Sequence, residues 1–459
     1  RARARPPVPG ATRRLLAAFD LPLRGTYTQT NTQVNIVREA KHPGSVHIDS
    51  EIGRLRRVIV HTPGLEVESM TPRTVDEVLY NDIIPVSVVS QEHAKLKAFL
   101  SMIASTYEFT DLLAGALANE EARRELLHAV ARTTMAPDRQ TELRELAPET
   151  LVNALIRGLP QRRDSLTAYL SDRMYDIPPL PNLYFMRDGA AVFRDRVLFG
   201  RMAHEVRTLE SLLLKTVFHY TTDLTHGGVA FDGLQEWGDE VTLEGGDVLV
   251  ADSNTLLVGV SERTTTSGID RLAESLTRAF DEPLDVFAVL LPKSRATIHL
   301  DTVFTLIDRE LALVHEPTIL GPDHSRVLHM HLEPGRDPEI APVGGLIHGL
   351  ATLGIDLEPV ICGGTQSITQ EREQWLSAAN AFAFAPGKII GYGCNTATVR
   401  NLEAAGFAVR DVDDFLSGEE HVDDYERLFV GLPGVELARG GGGPRCMTLP
   451  VEREPLASR

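Results

Sequence analysis

Two hydrophobic periods divide the chain. Short runs rich in Val, Ile, Leu and Phe occur at 55–61, 190–193, 197–199, 248–250, 255–260 and 286–291, and again at 302–307, 311–314, 381–384 and 388–391. Turn-forming residues bound them, as Thr62, Pro63 and Gly64 do after the first; runs of this length between such breakers predict strands. Apolar residues recurring every three or four positions predict helices at about 206–218, 268–280 and 396–405. Between 90 and 175 the helical period takes over entirely, through Leu96, Phe99, Leu100 and Ile103, then Leu112, Leu113 and Leu117, then Leu126, Leu127 and Val130. Breaks at Pro137-Asp138 and Gly158-Leu159-Pro160 divide this stretch into four or five amphipathic helices.

Strands in twos and threes alternating with one helix argue for an α/β architecture of repeated units. The repetition is one of pattern, not of residue identity. The expected organisation is an N-terminal extension at 1–45, a catalytic α/β part at 46–89 and 176–459, and an inserted helical module at 90–175.

Composition narrows the function. Hydrophobic residues make up 43% and charged residues 24% of the 459, ordinary for a globular chain. The net charge of −18 repels nucleic acid and attracts a small cation. No apolar run is long enough to cross a bilayer, so no membrane partner is expected. Three widely spaced cysteines, Cys362, Cys394 and Cys446, provide neither a disulfide framework nor a metal-ligand spacing, and fit a cytoplasmic setting. Six arginines against the single acid Asp20 in the first 25 residues suggest a mobile basic arm without the apolar core of a secretory signal.

Chemistry-bearing residues gather in four places. One is the segment 181–188, with Asn182 near its start and Arg187 and Asp188 at its end. The second, 243–247, sets Glu244 and Asp247 around two glycines directly before a strand. In the third, His299 and Asp301 would share one side of an extended backbone. The fourth is the loop Arg439 to Pro450, in which four glycines and a proline precede Arg445 and Cys446. A glycine loop with an adjoining arginine suggests a reachable sulfur in an electropositive setting. Taken singly, each reads better as an ion pair, a solvated turn, a structural hydrogen bond or a buried thiol. Together they offer a nucleophile, an acid/base and several carboxylates. A thiolate needs an electrophile and carboxylates need a cation, and a guanidinium is both.

These segments carry a family resemblance. Residues 50–55, 181–188, 243–249, 261–264, 299–304, 372–375 and 444–447 resemble, in order, the motifs of the arginine deiminases in the guanidine-modifying (pentein) superfamily. The resemblance implies a five-bladed ββαβ propeller with the site on its axis and an inserted helical bundle. It implies Cys446 as nucleophile, His299 as general acid/base, Asp188 and Asp301 gripping the guanidinium, and Glu244 orienting His299. It places Asn182, Arg207 and Arg263 on the substrate α-carboxylate, with Asp247 also facing the substrate. No cofactor or metal is implied; the expected partner is a small guanidino substrate, and assembly into homo-oligomers is left open.

The implied reaction is deimination of free L-arginine to L-citrulline and ammonia. Departures bear on the substrate: Gly441 stands where the family commonly has an arginine reaching the substrate entrance, Leu209 replaces another arginine, Asn81 replaces an aspartate, and Gly393-Cys394 replaces an acidic-Arg pair. Alternatives are the same chemistry on a modified arginine or other guanidino compound, amidino transfer to an amine, and a silent binding protein on the same fold. The last fits poorly with an intact set of Cys446, His299, Glu244, Asp188 and Asp301.

Overall fold

The computed structural model describes residues 45–134, 139–235 and 240–456. All but the last residue of the expected 1–45 extension therefore lies outside the described residues. Among these, six sheets form, and five contain the same connection: a strand antiparallel to a second, which pairs in parallel with a third reached by a crossover. One unit comprises Ala190–Phe193, Arg196–Phe199 and Gly228–Asp232, with helix Thr208–Tyr220 in the crossover. Val248–Val250, Thr255–Val260 and Leu284–Leu290 make the next, around helix Thr266–Ala279. Two more follow, Phe304–Leu306 with Leu311–Val314 and Glu358–Ile361, and Phe382–Ala385 with Lys388–Tyr392 and Leu428–Leu432. The fifth joins distant parts of the chain: Leu449–Arg453 runs antiparallel to Leu55–Val60, itself parallel to Ser105–Glu108.

The middle strands explain their own composition. Parallel pairing puts a strand in the interior with both faces covered, which demands a continuous apolar run; Leu311–Val314 is buried at every position. Helix Thr266–Ala279 instead buries one stripe, Ile269, Leu272, Ala273 and Leu276, at helical spacing. The Thr265 side chain caps its start by accepting from the Gly268 amide at 3.1 Å.

Two expectations change. The helical module does not begin at 90: helix Val86–Ile103 is the crossover of the fifth unit and leads into its third strand, Ser105–Glu108. Four half-buried residues, Ser, Thr, Tyr and Glu, offer no apolar run by which to recognise that strand. The helices Phe109–Leu117, Glu120–Thr134 and Pro148–Arg157 come after it, and the first two pack on Thr208–Tyr220. Unexpected as well is the hairpin Arg326–Leu332 and Glu339–Val343, which leaves one unit to add two strands beside Leu284–Leu290 of the unit before it.

One buried guanidinium ties the units together around the site. Arg445 donates to Glu51 at 2.9 and 3.1 Å, to the Val248 carbonyl at 2.9 Å and to Asp301 at 2.8 Å. Burial alone would raise the Glu51 carboxyl, but the charges of Arg445 and Arg187 outweigh it and hold it at about 2. A carboxyl depressed in the folded state stabilises the fold fully above its ordinary value of 4.5, and that contribution is lost as pH falls through about 2. Glu51→Gln removes one partner of a buried pair and is expected to cost about 3 kcal/mol or more, read as a lower midpoint in urea unfolding with an unchanged slope.

Candidate active site

The glycine loop is a packed strip. A Cβ on Gly443 would lie 2.5 Å from the Asn380 carbonyl oxygen, one on Gly442 2.5 Å from the Phe185 ring and one on Gly440 2.2 Å from the Tyr184 hydroxyl. Glycine is required there because neighbouring groups close on the backbone. Gly441 differs, since its φ of +98° favours glycine while the direction of its missing side chain is open space. It lines a pocket whose other walls include Asn182, Arg263, Trp375 and Cys446.

Beyond that strip the chain turns back and delivers Cys446. Asn380, wholly buried, accepts from the Cys446 amide at 3.0 Å and the Gly443 amide at 3.2 Å, and donates to the Asp301 carbonyl at 3.1 Å. The sulfur then lies 3.5 Å from Asp301 Oδ2. His299 approaches from another element. Its Nε2 is 2.8 Å from Glu244 Oε2, and its Nδ1 faces Asp188 Oδ1 at 3.7 Å. The anticipated extended His-Leu-Asp segment is corrected: His299 is extended, but Leu300–Thr302 is a 3₁₀ turn. That turn sends His299 and Asp301 to different partners, Glu244 and Arg445.

Both expected guanidinium-gripping carboxylates are half committed. Asp188 accepts from Arg207 at 2.7 Å through Oδ2, and Asp301 from Arg445 at 2.8 Å through Oδ2. Their Oδ1 atoms, and Nδ1 of His299, are buried without a protein hydrogen-bond partner. Unpaired buried polar atoms are costly unless a ligand completes them. Three such atoms beside one sulfur mark where a flat, multiply donating cation fits.

The electrostatics of the pocket depart from expectation at the sulfur. Burial pushes the Cys446 thiol well above its ordinary value of 9.0, and Asp301 and Asp188 push it further; Arg445 opposes them only weakly, its own charge being answered by Glu51 and Asp301. The electropositive setting inferred from the adjoining arginine is therefore absent. A bound cation between the carboxylates would supply what Arg445 does not. Burial works against a charged His299, yet Asp188 and the Glu244 hydrogen bond outweigh it and raise the imidazolium to about 9. Glu244 is held down at about 2 against its burial by His299 and Arg263.

Two of the expected substrate contacts are held by protein partners. Arg207 borders the pocket, but its guanidinium is engaged by Asp188 and by Glu210, the latter at 2.8 Å, rather than free for a carboxylate. Asp247 lies wholly buried outside the pocket lining. It accepts from the Leu300 amide at 2.8 Å and the Ser261 hydroxyl at 2.6 Å, and burial raises its carboxyl to about 7. Asn182 lines the pocket while its amide donates to the Val78 carbonyl at 2.8 Å. Arg263 lines the pocket with Nε and Nη1 lacking hydrogen-bond partners, Nη1 standing 3.7 Å from Glu244 Oε2, and Arg295 is a further cation on that wall. Asn380 and Glu210, which help hold these groups in place, lie outside the matched segments, and Glu51 lies inside the 50–55 match without a role that the sequence assigns it.

A metal ion fits the cluster poorly. Ligand atoms of Asp188, Glu244 and His299 come within 4.8 Å of one another. Arg207 already stands 2.7 Å from Asp188 and 3.9 Å from Glu244, with Arg263 3.7 Å from Glu244, so two cations occupy that side of the cluster.

A buried thiol, an imidazole held by a carboxylate, and carboxylates with open oxygens meet at this site. The model of the arginine deiminase family matches residues 76–453. The arginine deiminase of Bacillus cereus (strain B4264) is 31% identical over 438 residues, covering 91% of this chain and 100% of the relative. That of Listeria monocytogenes serovar 1/2a (strain ATCC BAA-679 / EGD-e) is 32% identical over 432 residues, covering 90% and 98%. The chain belongs to the arginine deiminase family. Among solved structures it is similar to the N-terminal domain of ArgZ, an arginine dihydrolase from Cyanobacteria, at a TM-score of 0.48 and 15% identity, covering 87% of this chain and 99% of that one.

Glu244→Gln removes a negative charge hydrogen-bonded to His299, so the imidazolium loses its proton more readily. The high-pH inflection of kcat/KM for guanidine hydrolysis is expected to move down by about one pH unit or more; an unmoved inflection would separate His299 from that limb.

Proposed function

We propose that this protein hydrolyses free L-arginine to L-citrulline and ammonia through a covalent intermediate on Cys446. The observation that carries the reading is that the Cys446 sulfur stands 3.5 Å from the Asp301 carboxylate and shares a pocket with Asp188 and His299, while Asp188 Oδ1, Asp301 Oδ1 and His299 Nδ1 are buried and unpaired. We further propose that the five sheet units close into a five-bladed propeller around this site.

In the proposed cycle the two Oδ1 atoms accept from the substrate guanidinium, whose charge favours loss of the Cys446 thiol proton to solvent. The thiolate attacks the guanidine carbon and forms a C–S bond. His299, with Nε2 held by Glu244, gives the proton at Nδ1 to the departing nitrogen. That C–N bond breaks and ammonia leaves. The remaining amidino-thioether is cationic and stays between the carboxylates. Neutral His299 takes one proton from water, the oxygen attacks the same carbon, and the C–S bond breaks to return the thiolate and release a ureido product, the second water proton passing to the departed ammonia through solvent. Arg263 and Asn182 receive the α-carboxylate end.

A second reading rests on Gly441. Open space where relatives carry a long cationic side chain leaves room at the pocket mouth for a substrate bulkier than arginine, beside the half-exposed Trp375. A panel of arginine, agmatine, methylated arginines and hydroxyarginine, assayed for ureido product and ammonia, separates the readings. Arginine is expected to have the highest kcat/KM; no turnover of arginine alongside turnover of a derivative would replace the first reading by the second. Cys446→Ala is expected to abolish product with every substrate, and a retained rate would end the covalent mechanism.

A further inference from the structure

On the hairpin that extends the Leu284–Leu290 sheet, His329 and His331 are two residues apart on one strand and project from the same face. The register sets Asp285 directly opposite His331 and Phe287 opposite His329. Asp285 Oδ1 lies 2.7 Å from His329 Nε2 and 2.8 Å from His331 Nδ1. The ligating atoms of the three residues fall within 4.8 Å of one another. The Phe287 ring stacks on His329 at 4.7 Å with an interplanar angle of 11°, fixing the plane of that imidazole. A further carboxylate, Glu333 Oε1, stands 3.8 Å from His331 Nε2.

We propose that Asp285, His329 and His331 bind a divalent transition-metal ion of the zinc class, which clips the hairpin to the strand Leu284–Leu290. Two imidazoles and a carboxylate are a donor set suited to such an ion, with water filling the remaining position. Bonds of about 2.0–2.2 Å require only a small separation of atoms already in contact. Each imidazole offers a lone pair to the metal, so a proton on Nε2 of His329 or Nδ1 of His331 passes to solvent or resides on the other ring nitrogen. The three side chains are part exposed, which gives the ion a path in. None lines the pocket of Cys446, so the ion would act on the hairpin and not on the reacting atoms. The outer strand Glu339–Val343 is exposed along most of its length, and a bond from its neighbour into the sheet would oppose fraying there.

The test is zinc titration of the chelator-stripped full chain by calorimetry, with amide exchange read across 326–343. The unmodified protein is expected to take up one zinc ion more per chain than His331→Gln, and zinc is expected to slow exchange in the hairpin of the first only. Zinc held at the catalytic thiol is common to both proteins and cancels in the difference. His331 is part exposed, so its replacement leaves the core intact; His329→Gln provides a second variant, expected to weaken this binding at least about tenfold. Equal zinc uptake, or equal hairpin exchange, in unmodified and variant proteins would overturn the proposal.

Discussion

A single guanidinium, that of Arg445, is the point at which fold and site become one problem. It is wholly buried, and its fork reaches Glu51 ahead of the first strand, the Val248 carbonyl in one unit and Asp301 at the start of another. A planar donor with fixed directions constrains where all three can lie. Asp301 then stands beside Cys446, the next residue in the chain. The position of the sulfur relative to its carboxylate is thus set by the same contacts that hold three units against one another.

The site divides each carboxylate between protein and ligand. One oxygen of Asp188 and one of Asp301 are held by Arg207 and Arg445, and the other is left open. The protein's arginines orient the carboxylates and offset part of their repulsion, while the open oxygens retain the capacity to accept from a planar cation. The same carboxylates disfavour ionisation of Cys446 in the absence of such a cation. In the proposed cycle, binding of the cation and ionisation of Cys446 are therefore coupled through charge.

Much of the strand pattern was legible in the chain, and the reason is local. Val248–Val250, Thr255–Val260 and Leu311–Val314 fall where the apolar runs placed them, because a strand covered on both faces must be apolar throughout. Ser105–Glu108 has polar ends and Leu449–Arg453 contains Pro450 and charged residues, so the two strands that flank Leu55–Val60 left little trace. The motifs marked Cys446, His299, Glu244, Asp188 and Asp301 as chemistry; the fold lines one pocket with Cys446, His299 and Asp188 and sets Glu244 and Asp301 behind them, against His299 and Cys446. Burial was less legible. It turns Arg207 toward Asp188 and Glu210, hides Asp247 behind the site, and gives Asn380 a positioning task that no short motif signals.

The strand that follows the catalytic sulfur, Leu449–Arg453, pairs with Leu55–Val60 from the other side of the sequence. Cys446 also follows every other residue assigned to the site. During synthesis the carboxylates and the imidazole emerge first, and the thiol comes to them only as this strand finds its partner. A nascent chain lacking that strand loses the pairing with Leu55–Val60 and keeps only Asn380, Glu51 and Asp301 to hold Cys446 and its neighbour Arg445 in place.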